Sequence, residues 1–485
     1  MDGTQAHPEA QPRGVAHRHE VDASPAAIDD EQAGGRFAAT GTGTTGHEPT
    51  LAAAPGPPVH PRPRSAGAIP PPPTPIAGAS GTVRLVRRPS PLPPAARAEL
   101  AAVLDPAAGR TLPGILYTDP DVFAWELAAL WGGTWVCVGR LDDLLAGVTQ
   151  RAVRAGEALV VLTTPGPADL DAVRAFHGVC RHRGHELLTE GSATDRPRIV
   201  CPYHSWTFGL DGTLVRIARA SAVDEATLDR TDWGLLAVPV EVWRGWVFVG
   251  LDDPPPFGDH IGELDDIVAP YDPATLPVAH RIVYDVAANW KVVAANYHEC
   301  YHCPTVHPEL SRVADPDADE SVPAGRGDWI GGPMPLADGA ETLSETGAAL
   351  GPRLPGVDDE AARRVWLGQL LPNLFVAAHP DHLVTHRTVP LAPDRTLVEC
   401  DWLAPAGTDV SGSVALWDRV NRQDWEIVAS VQRGVADPGY RPGPLLEAEA
   451  SVRRYEQAVA RAHLTGRLSA DREAADRPAG TPLRA

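Results

Sequence analysis

The feature that most constrains how this chain can fold is a pair of short loops that each carry one cysteine and one histidine. The first loop reads Cys180-Arg181-His182, and the second reads Cys201-Pro202-Tyr203-His204. Donors that bind one metal group must lie close together, so the tips of both loops have to meet in the fold. A zinc finger usually pairs cysteine with cysteine and histidine with histidine, and two matched Cys/His loops depart from that pattern.

Two such loops suit a [2Fe–2S] cluster in which one iron binds two thiolates and the other binds two imidazoles. Imidazole ligands raise the reduction potential, which favours a relay of electrons over strong reduction. A zinc site with the same ligands is the alternative. The segments CRHRGHELL and CPYHSWTFGLDG resemble the signature of Rieske domains. The spacer between the loops is slightly longer than the family pattern, and we expect the residues around Thr194 to Arg198 to form a longer loop. The resemblance implies four cluster ligands: Cys180, His182, Cys201 and His204.

A second group of potential metal ligands lies in NWKVVAANYHECYHCPTVHPEL, residues 289–310. We predict a helix from Asn289 to Cys303 that Pro304 ends, because the residue before a proline avoids the helical conformation. Glu299 and His302 would then share one helix face. His307 would follow in the next turn and reach the same point. Two histidines and one carboxylate on one face of an iron leave positions open for O₂ and substrate.

Two carboxylates compete for the third position on this iron. Glu299 is close in sequence, and Asp424 lies in a later helix-like segment, residues 414–434. The NYHECYHCPTVHPEL and NRQDW segments resemble the catalytic half of ring-hydroxylating-type Rieske oxygenases. The resemblance assigns His302, His307 and Asp424 to the iron. It gives Glu299 a different role, as a bridge to His204 of a neighbouring subunit. The exchange that places Glu299 on the iron stays open, and so does the role of Asn296.

Other residues near these ligands have less specific interpretations. Cys300-x-x-Cys303 alone would fit a thioredoxin-like pair, but no βαβ pattern surrounds it, so we expect packing thiols. His298 is expected beside the site without binding metal. Three histidines on or beside strand-like runs are either ordinary strand residues or neighbours of the pocket: His379, His382 and His386. Three aromatic residues are expected to pack the ligand helices: Trp290, Tyr297 and Trp425.

Composition divides the chain into five segments. Residues 1–96, rich in Pro, Ala and Gly, are expected to be a disordered tail, as are residues 466–485. Residues 97–134 should form a helical segment that packs on the catalytic domain. Short β-type runs with Gly and Asp-Gly turns over 135–250 predict a small antiparallel β domain, the Rieske domain. Residues 251–465 should form the mononuclear non-heme iron domain. The expected class is α+β, and the resemblance implies a central antiparallel sheet with helices, a helix-grip (START-like) arrangement.

Charge and hydropathy exclude some partners. The 485 residues carry a formal net charge of −21, which argues against nucleic acid or an anionic membrane surface as the partner. No apolar run is long enough to cross a membrane, and no secretory signal follows Met1. On these missing signals we expect a cytoplasmic protein.

The resemblance implies an O₂-dependent oxidoreductase, a mono- or dioxygenase, with a [2Fe–2S] cluster and Fe²⁺ as cofactors and a homotrimeric assembly. The sequence has no Gly-rich dinucleotide fingerprint, so electrons should come from a separate NAD(P)H-dependent reductase with flavin or iron–sulfur groups. The branch of choline, glycine betaine, stachydrine and carnitine oxygenases is most similar. It implies hydroxylation or N-demethylation of a small quaternary amine. One alternative is hydroxylation or O-demethylation of an aromatic compound. Another is a Rieske electron carrier without oxygenase chemistry.

Overall fold

The computed structural model describes residues 89–105, 109–166, 172–316 and 325–470. The predicted tails therefore lie mostly outside the described residues. Buried Leu92 and the helix that begins at Pro94 place ordered structure before the expected boundary at residue 97. At the other end, Leu468 and Ser469 are buried although they were expected in a tail.

Eleven α-helices occur among the described residues, and they fall mainly at the two ends of the chain and around the predicted ligands. Within the segment expected to be helical, residues 97–134, helix α3, Pro120–Trp125, continues into a π-helical turn, Glu126–Trp131. The helices are α1 Pro94–Val103, α2 Ile115–Thr118, α3 Pro120–Trp125, α4 Leu141–Leu145, α5 Ala222–Thr227, α6 Phe257–Ile261, α7 Leu264–Val268, α8 Trp290–Tyr297, α9 Cys303–Val306, α10 Ser411–Val435 and α11 Ala450–Thr465.

The strands of the first half form three small sheets. Their orders are β1-β11-β10, β5-β2-β3-β4-β9 and β6-β7-β8, and each pairing is antiparallel. These strands are β1 Trp135–Arg140, β2 Gln150–Ala155, β3 Ala158–Thr163, β4 Arg174–His177, β5 Ala193–Thr194, β6 Ile199–Val200, β7 Thr207–Phe208, β8 Leu214–Arg216, β9 Ala237–Val238, β10 Val240–Trp243 and β11 Trp246–Gly250.

The second half contains one larger antiparallel sheet of six strands in the order β12-β17-β16-β15-β14-β13. The α+β class with antiparallel sheets is therefore confirmed. One strand, β13, lies inside the stretch 315–358, which shows no sequence period. The strands are β12 Val278–Val286, β13 Trp329–Pro335, β14 Arg364–Leu370, β15 Leu374–Ala378, β16 Leu383–Ala392 and β17 Arg395–Leu403.

Helix α10 carries the predicted ligand Asp424, and its sequence explains which face is buried. Buried residues recur every three or four positions, which is the spacing of one helix face. They are Ser413, Leu416, Trp417, Val420, Asn421, Val428, Gln432 and Val435. No helix among the described residues has the length and apolar character needed to cross a membrane.

The N-terminal helical segment is joined to helix α8, which precedes the predicted ligands, by a buried ion pair. Lys291, the single lysine of the chain, lies at 0% exposure with its Nζ 2.6 Å from Oε2 of Glu126. Oε1 of the same carboxylate is 3.0 Å from Nε2 of His463 on α11. Burial alone would raise the pKa of Glu126, but Lys291 and His463 together lower it below its ordinary value. The carboxylate thus stays charged, and it fixes α8 against two other segments.

Replacing Lys291 by methionine should destabilise the protein strongly, because Glu126 would remain buried without its ammonium partner. Breaking a buried pair in this way typically costs about 3–5 kcal/mol. Thermal unfolding followed by circular dichroism measures the effect. Arg395→Gln is a suitable control, since Arg395 pairs with Asp285 at the surface and such pairs contribute little. Equal losses in both variants would contradict a structural role for the buried pair.

Stability should also depend on the protonation of Glu456, which accepts a hydrogen bond from Tyr117 Oη at 3.0 Å. Burial raises its pKa from the ordinary 4.5 to about 8. The folded protein therefore retains a proton that the unfolded chain releases, and the stability from this group falls as pH rises from 4.5 towards 8. Glu456→Gln keeps an acceptor and cannot ionise. Its melting temperature should match the wild type near pH 5 and exceed it near pH 8; a constant difference would refute the shift.

Candidate metal centres

The two Cys/His loops lie side by side and have the same backbone design. The N–H of Cys180 donates to the carbonyl of His185, and the N–H of Gly184 donates to that of Cys180. In the second loop, Cys201 and Ser205 repeat both bonds at the same offsets. Gly184 and Ser205 each take a positive φ, 73° and 56°, which closes the turn after the histidine. One local fold is therefore used twice, so each loop presents its two donors in the same way.

The four donors of these loops are brought together as the sequence predicts. The Cys180 and Cys201 thiols are buried, free and in hydrogen-bond contact, and the rings of His182 and His204 have centroids 4.7 Å apart. Burial raises the pKa of Cys180, although the backbone N–H groups of His182 and Arg183 donate to its sulfur. Such donors stabilise a sulfur that carries negative charge. Two adjacent sulfurs and two adjacent imidazoles fit the donor set of a [2Fe–2S] cluster with unlike irons.

The cluster end of the molecule is exposed. Trp206 stacks beneath His182 with ring centroids 4.7 Å apart, and Tyr203 lies over His204 at 3.7 Å. His182 is exposed, and 51% of Tyr203 is accessible. The thiol side of the group is thus enclosed while the imidazole side faces outward.

The second constellation converges on a triangle of three donor atoms. Nε2 of His307 lies 2.9 Å from Oδ1 of Asp424, and Nε2 of His302 lies 3.3 Å from the same oxygen. The two Nε2 atoms are 3.2 Å apart. Ligands at about 2.1 Å from an octahedral metal stand roughly 3 Å from their neighbours on one face. The three residues therefore fit a facial metal site, and Glu299 is outside this group.

Hydrogen bonds to the other ring nitrogens prepare both histidines for metal binding. Nδ1 of His302 donates to Oε1 of Glu299 at 2.5 Å, and Nδ1 of His307 donates to Oε1 of Gln423 at 2.7 Å. Each bond places a proton on Nδ1, so Nε2 is the nitrogen that faces the triangle and binds a metal once it is deprotonated. Asn296 donates to Oδ1 of Asp424 at 3.2 Å, which gives this residue a role that the sequence left open. Gln423 was missed in the sequence, although it immediately precedes Asp424.

The charges of the triangle favour a cation. Burial alone would lower the pKa of His302, but Asp424 and Glu299 raise it to about 9. Burial would likewise raise the pKa of Asp424, but His302 and His307 lower it. Without a metal, protons supply the positive charge that these carboxylates require. A divalent cation would replace those protons, so metal affinity should fall at low pH.

The ligand segment differs from the predicted single helix. Helix α8 ends at Tyr297, and Glu299 lies in the turn that follows. A new short helix, α9, begins at Cys303 with Pro304 in its first turn, where a proline fits because no N–H partner is needed there. The proline therefore starts a helix and does not end one. Glu299 meets His302 across a turn, at the same spacing of three residues.

One further expectation about this segment was wrong. Cys300 and Cys303 are not packing thiols but form a disulfide, with their Cα atoms 4.9 Å apart. Tyr297 and Trp425 pack against the hydrophobic core as expected, and both also line a cavity beside the metal triangle. Trp290 does pack internally, with Nε1 donating to Glu126 at 3.0 Å. His298 is buried and hydrogen bonded to Gln369 at 2.8 Å, and it does not join the triangle.

The cavity beside the triangle has aromatic walls. The ring of Tyr297 is 4.7 Å from that of Phe375 and 5.9 Å from His386, and Trp417 lies 5.6 Å from His386. Among the described lining residues there is no Lys or Arg, and the carboxylates are Glu299 and Asp424. Burial lowers the pKa of His386 to about 4, so this ring is neutral. The site thus combines electron-rich rings with negative charge.

The other two histidines on strand-like runs serve the framework. Nδ1 of His382 donates to Oδ1 of Asp381 at 2.7 Å, and Nε2 of His382 is hydrogen bonded to Oγ of Ser413 at 2.8 Å. His379 stacks on His382 with centroids 4.1 Å apart. All of these residues are buried, so the Ser–His–Asp arrangement has no access for a substrate and joins β16 to the start of α10.

Comparison with known proteins matches both halves of the chain. Residues 134–227 match the Rieske [2Fe-2S] domain, and residues 273–464 match the catalytic domain of the ring hydroxylating alpha subunit. The glycine betaine monooxygenase oxygenase subunit of Chromohalobacter salexigens is 33% identical over 368 residues, 69% of this chain and 81% of that protein. The carnitine monooxygenase oxygenase subunit of Acinetobacter pittii is 33% identical over 353 residues, 70% of this chain and 88% of the relative.

Solved structures agree on the fold. The quaternary ammonium Rieske monooxygenase CntA in complex with gamma-butyrobetaine superposes with a TM-score of 0.59 at 25% identity, covering 77% of this chain and 99% of CntA. Naphthalene 1,2-dioxygenase from a Rhodococcus species gives a TM-score of 0.61 at 20% identity, covering 76% and 98% of the two chains. The second match concerns the fold alone.

Removal of one histidine should separate the two metal groups. His302→Ala should lower the iron content from about three to about two per chain and leave the cluster absorbance intact, because the two donor sets share no residue.

Gln423→Leu should weaken iron retention by about 10–100-fold, since only the orientation of His307 is lost. Iron analysis with visible absorbance measures both. His298→Gln is the control and should keep all the iron; loss of iron there would contradict the assigned triangle.

Proposed function

Because this chain belongs to the family of ring-hydroxylating Rieske oxygenases, we propose that it is an oxygenase component that oxidises a small quaternary amine. It is an oxidoreductase with the Rieske [2Fe–2S] and mononuclear iron domains of that family. An electron carrier would not need a catalytic domain, and residues 273–464 match one, which argues against an electron carrier without oxygenase chemistry. Cys180, His182, Cys201 and His204 hold the cluster, and His302, His307 and Asp424 hold the iron.

The observation that carries the proposed substrate class is the cavity wall. A quaternary ammonium has no N–H to donate, so it is bound through electron-rich ring faces and nearby negative charge. Tyr297, Phe375, His386 and Trp417 supply rings at centroid distances of 4.7 to 5.9 Å from one another along the series. A neutral His386 adds no repulsion. The relatives are named for glycine betaine and carnitine, both quaternary amines, which supports the same class.

The residues of the triangle set the geometry of the reaction. When bound, the mononuclear iron supplies activation of O₂, and the cluster supplies electrons one at a time. His302, His307 and Asp424 would hold the iron, and because all three line the cavity, O₂ and substrate would meet it there. The apolar walls exclude water from that space. N-demethylation follows when hydroxylation occurs at a methyl carbon beside the nitrogen, and formaldehyde is then released.

Glu299 joins the two centres across a subunit boundary in the proposed homotrimer. Its carboxylate orients His302, and the Glu299 and His302 side chains are 14% and 19% accessible, whereas His307 is 1% accessible. Asp424 is 13% accessible as well, so His307 is the enclosed member of the group, and the accessible edge holds Glu299, His302 and Asp424. The exposed imidazole side of the cluster, with His204, is the complementary surface on a neighbouring copy. Electrons reach the cluster from a separate reductase.

A single turnover tests the proposed reaction. The purified protein is reduced at the cluster, freed of reductant and exposed to O₂ with glycine betaine, carnitine, choline or simple aromatic compounds. We expect formaldehyde or an aldehyde from a quaternary amine, measured by derivatisation and mass spectrometry. Product from aromatic compounds alone would refute the proposed substrate class in favour of ring or O-methyl oxidation.

The aromatic cavity wall predicts that the positive charge of the ligand contributes to binding. tert-Butylacetate copies the shape of glycine betaine with carbon in place of nitrogen, and it should bind at least about tenfold more weakly, since a desolvated cation–π contact is worth about 2 kcal/mol. Phe375→Leu should raise the KM for the amine and leave iron content unchanged. Phe257→Leu, a change outside the cavity beside Trp135, is the matched control. Equal affinity for both ligands would exclude binding of the cation by these aromatic rings.

The Glu299→Gln variant distinguishes a bridging role of Glu299 from a role as an iron ligand. The variant should keep the iron and the cluster but lose at least about tenfold in the rate at which the reduced cluster is reoxidised with O₂ and substrate, because the charged acceptor for His302 is gone. Iron analysis and stopped-flow absorbance measure the two properties. Loss of the mononuclear iron would make Glu299 a ligand and would overturn the assignment of Asp424.

A further inference from the structure

The turn between α8 and α9 holds a covalent bond that the proposed reaction does not use. Cys300 and Cys303 are joined as a disulfide, while Cys137, Cys180, Cys201 and Cys400 are free. The only residues between the two half-cystines are Tyr301 and His302, one of the three triangle residues. Among the described cysteines, disulfide formation is thus confined to the turn that carries a metal ligand.

The disulfide works together with three hydrogen bonds to fix this turn. The N–H of Cys303 donates to the carbonyl of Cys300 at 3.1 Å. The carboxylate of Glu299 accepts from the backbone N–H of His302 at 3.2 Å and from its Nδ1 at 2.5 Å. The same few residues thus determine where the His302 ring stands and where the Glu299 carboxylate points.

Reduction of this bond must alter the turn. Bonded sulfurs are about 2 Å apart, whereas two thiols in van der Waals contact need roughly 3.5–4 Å. Cys303 is only 3% exposed, whereas Cys300 is partly exposed, so the Cys300 side of the turn is the one that can move. The sulfur of Cys300 has to move away, and Glu299 is the residue directly before it. The reduced turn therefore holds Glu299 and His302 less firmly.

Small redox reagents can reach the bond through the substrate cavity, because Cys300 and Cys303 both line it together with the metal triangle. Hydrogen peroxide oxidises two thiols to one disulfide and is itself reduced to two waters. A dithiol reverses the change: its thiolate attacks the disulfide, two cysteine thiols are released and the dithiol becomes a disulfide. Both reactions balance without any other reactant.

We propose that the Cys300–Cys303 disulfide is a redox-controlled support of Glu299 and His302, intact in the form that passes electrons to the iron and released by a dithiol. This inference rests on the proposed electron transfer through Glu299. Cys300 and Cys303 are positioning residues, since they act on the reaction through their two neighbours. Peroxide maintains the competent form, and dithiol reductants lower the rate of turnover.

The first measurement is the state of the bond. The protein is purified without reductant, denatured, alkylated with iodoacetamide and digested, and the peptide that spans residues 300–303 is weighed. We expect this peptide to be unlabelled, and to gain two labels after treatment with dithiothreitol. A peptide that is fully labelled from the start, and still labelled after peroxide treatment, would overturn the proposal.

The second measurement is the dependence of turnover on that state. The cluster is reduced with limiting dithionite, and alkylation confirms that the disulfide has survived. Mixing with O₂ and glycine betaine then gives the rate of cluster reoxidation and the yield of product. Reduction of the disulfide should slow reoxidation by about tenfold or more at unchanged iron content and cluster absorbance, because a small displacement of a positioned group has effects of that size. Peroxide should restore the rate.

Variants distinguish redox control from general damage. Cys300→Ala/Cys303→Ala should resemble the reduced wild type and should not respond to dithiothreitol or peroxide. Cys137→Ala, at a buried free thiol in β1, is the control and should respond like the wild type. Equal rates in both redox states of the wild type, or a faster reduced form, would overturn the proposal. A protein with full metal content that yields no product in either state would refute the proposed function instead.

Discussion

The metal triangle depends on one long-range constraint, the register of α10 against the turn between α8 and α9. Asp424 approaches His307 to 2.9 Å although 117 positions separate them. A helix rotates by about 100° per residue, so a shift of a single position would turn the Asp424 carboxylate away from both histidines. The six-stranded sheet and the helices beside it are therefore useful to the site only if they hold α10 in one position.

Hydrogen bonds at both ends of α10 fix the helix in that position. Near its start, Ser413 is bound to His382, which is held in turn by Asp381. Near its end, Gln432 accepts from the backbone N–H of Asn289 at 2.9 Å, immediately before α8 begins. The same Gln432 donates to the carbonyl of Tyr117 at 3.2 Å. Hydrophobic burial alone is non-directional, and these buried bonds add the direction that fixes rotation and translation.

The sequence predicted the local parts of this protein better than the distant ones. Most of the potential ligands lie in two short stretches of sequence, Cys180 to His204 and Glu299 to His307. Their spacing indicates which side chains can meet, and the structure brings the residues of each stretch together. The small antiparallel sheets over 135–250 were predicted as well, because the short β-type runs there are separated by Gly and Asp-Gly turns. Strand β13 was missed, since Gly331, Gly332 and Pro333 give it no alternating pattern.

The contacts that the sequence could not show are those made across the fold. The cavity wall joins Tyr297, Phe375, His386 and Trp417, which come from two helices and two strands, and no period relates them. The disulfide was missed for a different reason. In a regular helix, Cβ atoms three positions apart are about 5–6 Å from each other, farther than the roughly 3.5–4.5 Å of a disulfide. The continuous helix expected over Asn289 to Cys303 therefore concealed this bond.

The two metal sites differ in solvent exposure because one has to pass electrons between surfaces and the other has to exclude water. The imidazole side of the cluster is open to solvent, with Tyr203 at 51% exposure, whereas His307 is nearly inaccessible. Electron transfer needs a close approach of two surfaces, and O₂ chemistry needs the exclusion of water. Glu299 is 14% accessible and accepts a hydrogen bond from His302, which is itself 19% accessible, so this pair lies between the open and the enclosed surroundings. The proposed electron transfer through Glu299 uses this position, because an accessible carboxylate beside the triangle carries a charge that a neutral residue would lack.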